Sequence, residues 1–127
     1  MSNIYETEQP YSVNILPENS FGYLQISVAT GQRALPVVNA RVSVFSSPEE
    51  HDDDLMAVLT TDASGVTNRI SLPAPLAESS LSPGMENPYN MFYVRIVAAD
   101  FITRDRLPVQ IFPGILSDLI INMETPA

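Results

Sequence analysis

The chain has 127 residues, 45% of them hydrophobic and 17% charged, with no cysteine and one histidine. Such a length fits one domain whose core forms without stabilising disulfides or metal ions. The lack of cysteine excludes disulfides, thiol chemistry and cysteine-ligated zinc. Fifteen acidic residues against six basic ones give a net charge of −9, which disfavours partners such as nucleic acid or an anionic membrane surface.

The first 20 residues predict a partly ordered arm ahead of one domain spanning residues 21–127. Acidic residues and prolines interrupt the arm, and no basic segment leads into an apolar run, so it does not read as a secretory signal. We therefore expect a cytoplasmic protein. Tyr11, Val13 and Ile15 alternate as in a short strand, so the arm could add to a sheet edge, pack on its own domain or stay disordered.

From residue 21 onward, apolar and polar residues alternate, and turn residues interrupt the alternation at short intervals. This pattern predicts an all-β chain, a seven-stranded Greek-key sandwich. Apolar residues on both faces indicate that the strand at 91–99 is central, and Pro108 places the strand at 101–111 at an edge or at a bulge. The predicted strands are 21–31, 37–45, 55–61, 67–72, 91–99, 101–111 and 116–123.

Two connections between these strands carry specific signals. Asp62 can accept backbone N–H bonds and Gly65 can adopt a positive φ, so residues 62–65 predict a turn that closes a hairpin. The long segment 73–88 predicts a crossover between sheets.

Four segments in order, 22–26, 35–42, 59–65 and 93–101, resemble the strands and the T-x-x-D-x-x-G turn of carboxypeptidase regulatory-like (transthyretin-like, or prealbumin-like) β-sandwich domains. Asp100 stands where that family usually has Gly, and Asp tolerates a left-handed backbone. The resemblance covers residues 21–123. It implies the fold rather than an activity, because the family serves as spacer, appendage, adhesin repeat and binding module alike.

Segments 67–75, 87–90 and 109–114 also resemble a narrower group, the N-terminal non-catalytic module of clostridial spore cortex-lytic pre-pro-enzymes. That resemblance implies a Firmicutes protein connected with spores or the cell wall, which carries the accessory module without the hydrolase. Some related adhesin modules join a lysine to an Asn or Asp side chain, and this chain has no lysine to form such a crosslink.

One acidic run surrounds the single histidine, His51. Oxygen ligands of this kind suit calcium, but the run lacks the glycine and the spaced glutamate of a calcium loop, so a solvated loop is the favoured interpretation. His51 has flexible acidic neighbours and no G-x-S-x-G motif accompanies it, so we expect no enzyme, no metal and no cofactor. The carboxylates of this weak calcium candidate are Glu49, Glu50, Asp52, Asp53 and Asp54.

Aromatic residues, a methionine and arginines form the candidate interaction surface, because such residues are enriched at interfaces and the arginines could bind an anion. We predict a non-catalytic structural or protein–protein interaction module that docks through an edge strand or through the 73–88 crossover. The alternatives are a carbohydrate- or peptidoglycan-binding module and a prodomain-like accessory of a separately encoded hydrolase. The candidate residues are Met85, Tyr89, Phe92, Arg95, Arg104 and Arg106.

Overall fold

The computed structural model describes residues 20–49, 54–75 and 88–126, which contain eight β-strands and no α-helix. Accordingly, these residues include no helix long and apolar enough to cross a membrane. The strands are β1 (Phe21–Thr30), β2 (Leu35–Pro36), β3 (Arg41–Phe45), β4 (Leu55–Thr60), β5 (Ile70–Pro73), β6 (Asn90–Val97), β7 (Arg104–Ile111) and β8 (Leu116–Met123).

The strands form two four-stranded sheets that pack as a sandwich. In the first sheet, β8 runs parallel to β1 along residues 23–30. Strands β2 and β5 pair antiparallel with opposite ends of β1, on its other edge. The second sheet has the order β4-β3-β6-β7 and is antiparallel throughout. The predicted all-β sandwich is confirmed, with the short β2 as an eighth strand.

The core lies between the sheets and is built from the apolar residues at alternate strand positions. Full burial of a Val, Leu or Ile side chain stabilises the fold by about 1.5–3 kcal/mol relative to exposure, so this layer dominates the stability. The largest side chains with almost no exposure are Leu24, Ile26, Val28, Val42, Val44, Val94, Ile96, Ile111 and Met123.

The predicted turn at Asp62 is present, but it does not close a hairpin. Asp62 Oδ1 accepts hydrogen bonds from the N–H groups of Ser64 (2.8 Å) and Val66 (3.0 Å), and Gly65 has φ +79°. However, β4 before the turn belongs to the second sheet and β5 after it to the first. The hairpin prediction is wrong because the chain hydrogen-bonds to β1 at the end of the turn: Val28 N–H donates to Gly65 O at 2.7 Å.

Other predicted connections agree with the structure. Strand β6 is central and β7 lies at an edge. Segment 73–88 joins β5 and β6, which belong to different sheets, so it is a crossover, although residues 76–87 lie outside the described part of the chain. Asp100 has φ +71°, the left-handed conformation expected where the family usually has glycine.

The buried hydroxyl of Thr61 binds the backbone of the segment that leads into β3. Thr61 is 2% exposed. Its Oγ1 donates to Val37 O at 2.7 Å and accepts from Ala40 N–H at 2.9 Å. Since Val37 and Ala40 are themselves buried, the hydroxyl supplies hydrogen bonds that water cannot replace.

Candidate functional site

The acidic run around His51 is described only at its two ends. Glu50, His51, Asp52 and Asp53 lie outside the described residues. The backbone oxygen of Asp54 accepts a hydrogen bond from Ser46 N–H at 2.8 Å, which fixes the start of β4. Glu49 N–H donates to Ser47 Oγ at 3.1 Å. Within the described ranges, no three His, Asp or Glu residues group as metal ligands would.

The structure separates the predicted interaction residues. Phe92 is 4% exposed and packs in the core, so it offers no surface. Tyr89 is half-buried, with its ring 5.4 Å from the ring of Phe112. Met85 lies outside the described residues. Of the two predicted aromatic residues, both of which are described, only Tyr89 reaches the surface.

Of the three predicted arginines, Arg95 and Arg106 come together and Arg104 does not. Arg104 pairs with Ile96, a core residue, and therefore lies on the inner side of β7. Its Nη1 donates to Asn122 O of β8 at 2.9 Å, which links the two sheets at their rim. Arg104 thus has a structural role.

A β-bulge in β7 brings Arg106 to the outer face of the second sheet. Val94 pairs with Leu107 and Ile96 with Arg104, so Arg95 faces the two residues Asp105 and Arg106. Arg106 adopts φ +55° there. The extra residue breaks the alternation of β7, which would otherwise place Arg104 and Arg106 on the same face.

Both arginines lie against the ring of Phe45. The guanidinium carbon is 4.0 Å from the ring centroid for Arg106 and 5.3 Å for Arg95, within the range of cation–π attraction. Phe45 is 7% exposed although it is not part of the main core cluster. The arginine side chains therefore cover a ring that alternation places on the outer face. We call Phe45, Arg95, Asp105 and Arg106 the arginine cluster.

One carboxylate serves both guanidinium groups. Asp105 Oδ1 accepts a hydrogen bond from Arg95 Nε at 2.9 Å and lies 3.6 Å from Arg106 Nε. The hydrogen bond from Arg95, followed by the charges of both arginines, lowers the pKa of Asp105 below its usual value. Arg106 Nε and Nη1 are buried and have no hydrogen-bond acceptor. The cluster carries two positive charges and one negative charge.

Sheet edges are a second candidate surface, because they expose unpaired backbone groups. Strand β7 carries Pro108, charged residues and the bulge, and β8 carries Asp118 and receives the Arg104 hydrogen bond. The other edge of the first sheet is short and contains Pro36 and Pro73. Proline, charge and bulges all protect an edge from pairing with another chain.

Strand β4, with the sequence LMAVLT, has neither charge nor proline. Its one irregularity lies at Met56, where the register with β3 shifts, so residues 57–60 pair regularly. Among described residues, only β3 pairs with it. Three of its apolar side chains are exposed, Leu55 by 44%, Met56 by 43% and Val58 by 52%. Of the described edges, β4 is the one best suited to strand addition.

No known family model matches the chain, and no curated protein matches it. Solved structures match its fold. The minor pilin GBS52 of Streptococcus agalactiae matches with a TM-score of 0.57 and 16% sequence identity, over 85% of this chain and 46% of the pilin. BcpA, the major pilin subunit of Bacillus cereus, matches with a TM-score of 0.50 and 13% sequence identity, over 81% of this chain and 28% of the pilin. Catechol 1,2-dioxygenase from an Acinetobacter species also matches, with a TM-score of 0.57 and 10% sequence identity, over 91% of this chain and 56% of the enzyme.

This chain therefore spans less than two thirds of each of these proteins. At such identities the likeness establishes the fold alone, an immunoglobulin-like or prealbumin-like β-sandwich. Pilin subunits and a dioxygenase share it, so the fold does not decide between a structural and a catalytic role.

Sequence reasoning missed two members of the arginine cluster. Alternation along β3 places Phe45 opposite Val44, on the outer face, but no local signal shows that arginines would cover it. Asp105 stands between two arginines in the sequence, and that pattern was available as a signal. Strand β4 could also have been recognised in the sequence as a six-residue segment without charge or proline.

Proposed function

We propose that this protein is a non-catalytic structural module that binds another protein chain by strand addition at β4. The edge of β4, which is uncharged and which pairs with no described strand other than β3, carries the proposal. Two of the solved proteins that share the fold are pilin subunits, so a structural role is compatible with the fold.

A second copy of this chain is the partner that β4 fits. An added strand gains backbone hydrogen bonds, and its apolar side chains cover the exposed side chains of the edge. Each copy has a net charge of −9, so two copies repel unless their acidic segments stay apart. Antiparallel pairing of two β4 strands keeps Asp54 of the two copies at opposite ends of the interface.

Charge complementarity favours the same arrangement. Asp54 immediately precedes β4, and Arg41 of β3 pairs with Thr60 at the other end of β4. In an antiparallel pair, Asp54 of one copy therefore approaches the end of the interface where Arg41 of the other copy lies. Parallel pairing would instead place the two Asp54 residues side by side.

Sedimentation equilibrium of the purified chain tests this proposal. We expect a monomer–dimer equilibrium with a dissociation constant of roughly 10 µM to 1 mM, typical of a small interface. Val58 lies near the middle of β4, so Val58→Lys places two like charges close together in the dimer and should make the protein monomeric.

The matched control is Ile120→Lys on β8, which makes the same change of charge at a side chain of similar exposure, 49% against 52%. We expect this variant to associate as the unmodified chain does. A chain that stays monomeric over the whole concentration range, or equal loss of association in both variants, contradicts strand addition at β4.

A carbohydrate-binding role has one observation in its favour. Phe21 and Tyr23 on β1 are each 41% exposed and lie on the same outer face, beside Gln25. Planar aromatic residues beside polar groups can stack on sugar rings. Cosedimentation with insoluble peptidoglycan that is lost in Tyr23→Ala would support this role, and no cosedimentation of the unmodified chain would dismiss it.

Association with spores or the cell wall, a Firmicutes source, cytoplasmic localisation and a role beside a separately encoded cortex hydrolase stay predictions. They come from the resemblance and from the N-terminal sequence. Immunolocalisation in the source organism, in vegetative cells and in spores, tests localisation and spore association together. Strand addition at β4 is independent of that outcome.

A further inference from the structure

Methionine supplies all the sulfur in this protein. The chain has five methionines and no cysteine, so a peroxide that oxidises sulfur can act only on thioether groups. Oxidation converts the thioether to a sulfoxide, which turns an apolar side chain into a polar one. The effect of a peroxide on this protein therefore depends on where its methionines lie.

Met56 is the exposed residue among the described methionines. It is 43% exposed, whereas Met123 is 1% exposed in the core and Met91 is half-buried. Met1 and Met85 lie outside the described residues. Because a peroxide reaches a buried thioether only when the fold opens, we expect Met56 to be oxidised before Met123.

The bulge in β4 keeps Met56 at the surface of the open edge. Between two neighbouring residue pairs, β4 has one residue more than β3, and that residue is Met56. A bulged residue has no cross-strand neighbour of its own to cover it. Met56 lies next to Leu55 and two residues from Val58, which are 44% and 52% exposed. The thioether thus belongs to the apolar surface that strand addition at β4 would cover.

We propose that Met56 is an oxidation site at which a peroxide weakens strand addition at β4. The inference rests on the proposed function, because association at β4 is the property that changes. In the reaction, the O–O bond of hydrogen peroxide breaks, a sulfur–oxygen bond forms on Met56 and water leaves. Sulfur loses the two electrons that the peroxide gains.

The polar oxygen of the sulfoxide explains the weaker association. At the open edge this oxygen is hydrated, and it must lose water when the strand of a second copy passes over it. The unmodified thioether carries no such cost and gains from being covered. Oxidation of Met56 should therefore raise the dissociation constant of the dimer by about tenfold or more.

Peptide mass spectrometry after brief exposure to hydrogen peroxide tests the first step. In dilute protein we expect Met56 to be oxidised faster than Met91 and much faster than Met123. As the protein concentration rises through the dissociation constant, the rate at Met56 should fall, because association covers the thioether. The rate at Met91 should stay the same.

Sedimentation equilibrium of the oxidised protein tests the second step. We expect the dissociation constant to be about tenfold higher, and to return to its original value after treatment with methionine sulfoxide reductases and a dithiol. An unchanged circular dichroism spectrum would show that the oxidised chain is still folded.

Two variants assign the effect to Met56. Met56→Leu keeps an apolar side chain of similar volume without sulfur, so it should associate as the unmodified chain does and keep its dissociation constant after peroxide treatment. Met91→Leu is the matched control and should respond to peroxide as the unmodified chain does.

Three results would overturn this proposal while strand addition at β4 stands. They are slower oxidation of Met56 than of Met123, an unchanged dissociation constant in protein oxidised at Met56, and a full response to peroxide in Met56→Leu, which keeps the other four methionines. A chain that is monomeric at every concentration before oxidation would instead overturn the proposed function, and this inference with it.

Discussion

Replacing Thr61 by valine removes a buried hydroxyl while keeping the shape of the side chain. The hydroxyl accepts from Ala40 N–H at 2.9 Å and donates to Val37 O at 2.7 Å, and Thr61 is 2% exposed. A buried donor without a partner costs about 1–3 kcal/mol, and the carbonyl loses a further hydrogen bond. We expect Thr61→Val to lower the free energy of unfolding by about 2–4 kcal/mol.

Urea unfolding followed by circular dichroism measures this loss, and Thr60→Val on the adjacent, exposed residue is the matched control. The control should change stability by less than about 0.5 kcal/mol, because a surface substitution on a strand removes no buried partner. Equal stability of the two variants would refute the claim that the Thr61 hydroxyl satisfies buried backbone groups.

Three further predictions concern stability. Hydrogen bonds from the Val66 and Ser64 N–H groups lower the pKa of Asp62, and the bond from Arg95 lowers that of Asp105, so both carboxylates stabilise the fold above their usual pKa. This contribution to the free energy of unfolding should disappear as the pH falls through the lowered pKa values. The melting temperature of Asp62→Ala should therefore fall less steeply with decreasing pH than that of the unmodified chain. Gly65→Ala should lower the melting temperature more than Gly114→Ala. Both glycines have positive φ, but only at Gly65 would an added Cβ clash with a neighbouring atom, at a distance of 2.5 Å. Ile96→Ala should cost about 2–5 kcal/mol in urea unfolding, and the same change at exposed Ile120 should cost little.

Period-two alternation was enough to predict every described strand except the two-residue β2, because a half-buried strand must alternate wherever one face meets the core. It also indicated the central position of β6 and, through Pro108, the edge position of β7. The sheet to which β5 belongs was not predictable from the Asp62–Gly65 turn. The same turn chemistry fits a hairpin, and the long-range bond from Val28 N–H to Gly65 O decides the outcome.

The candidate site was predictable only in part. Three arginines were predicted as a possible anion site, and the structure brings two of them together, Arg95 and Arg106. Alternation alone gives Arg104 and Arg106 the same face, whereas the bulge turns them to opposite sides of β7. A bulge depends on how the two paired strands fit each other, so a pattern within one strand does not reveal it.

Amide hydrogen exchange at increasing protein concentration tests strand addition at β4 most directly. Pairing protects the N–H groups that point away from β3, so alternate residues within 57–60 should exchange more slowly as the concentration rises, whereas residues 107–111 of β7 should exchange at an unchanged rate. Exchange in β4 that does not depend on concentration, or new protection in β7 instead, would contradict the account.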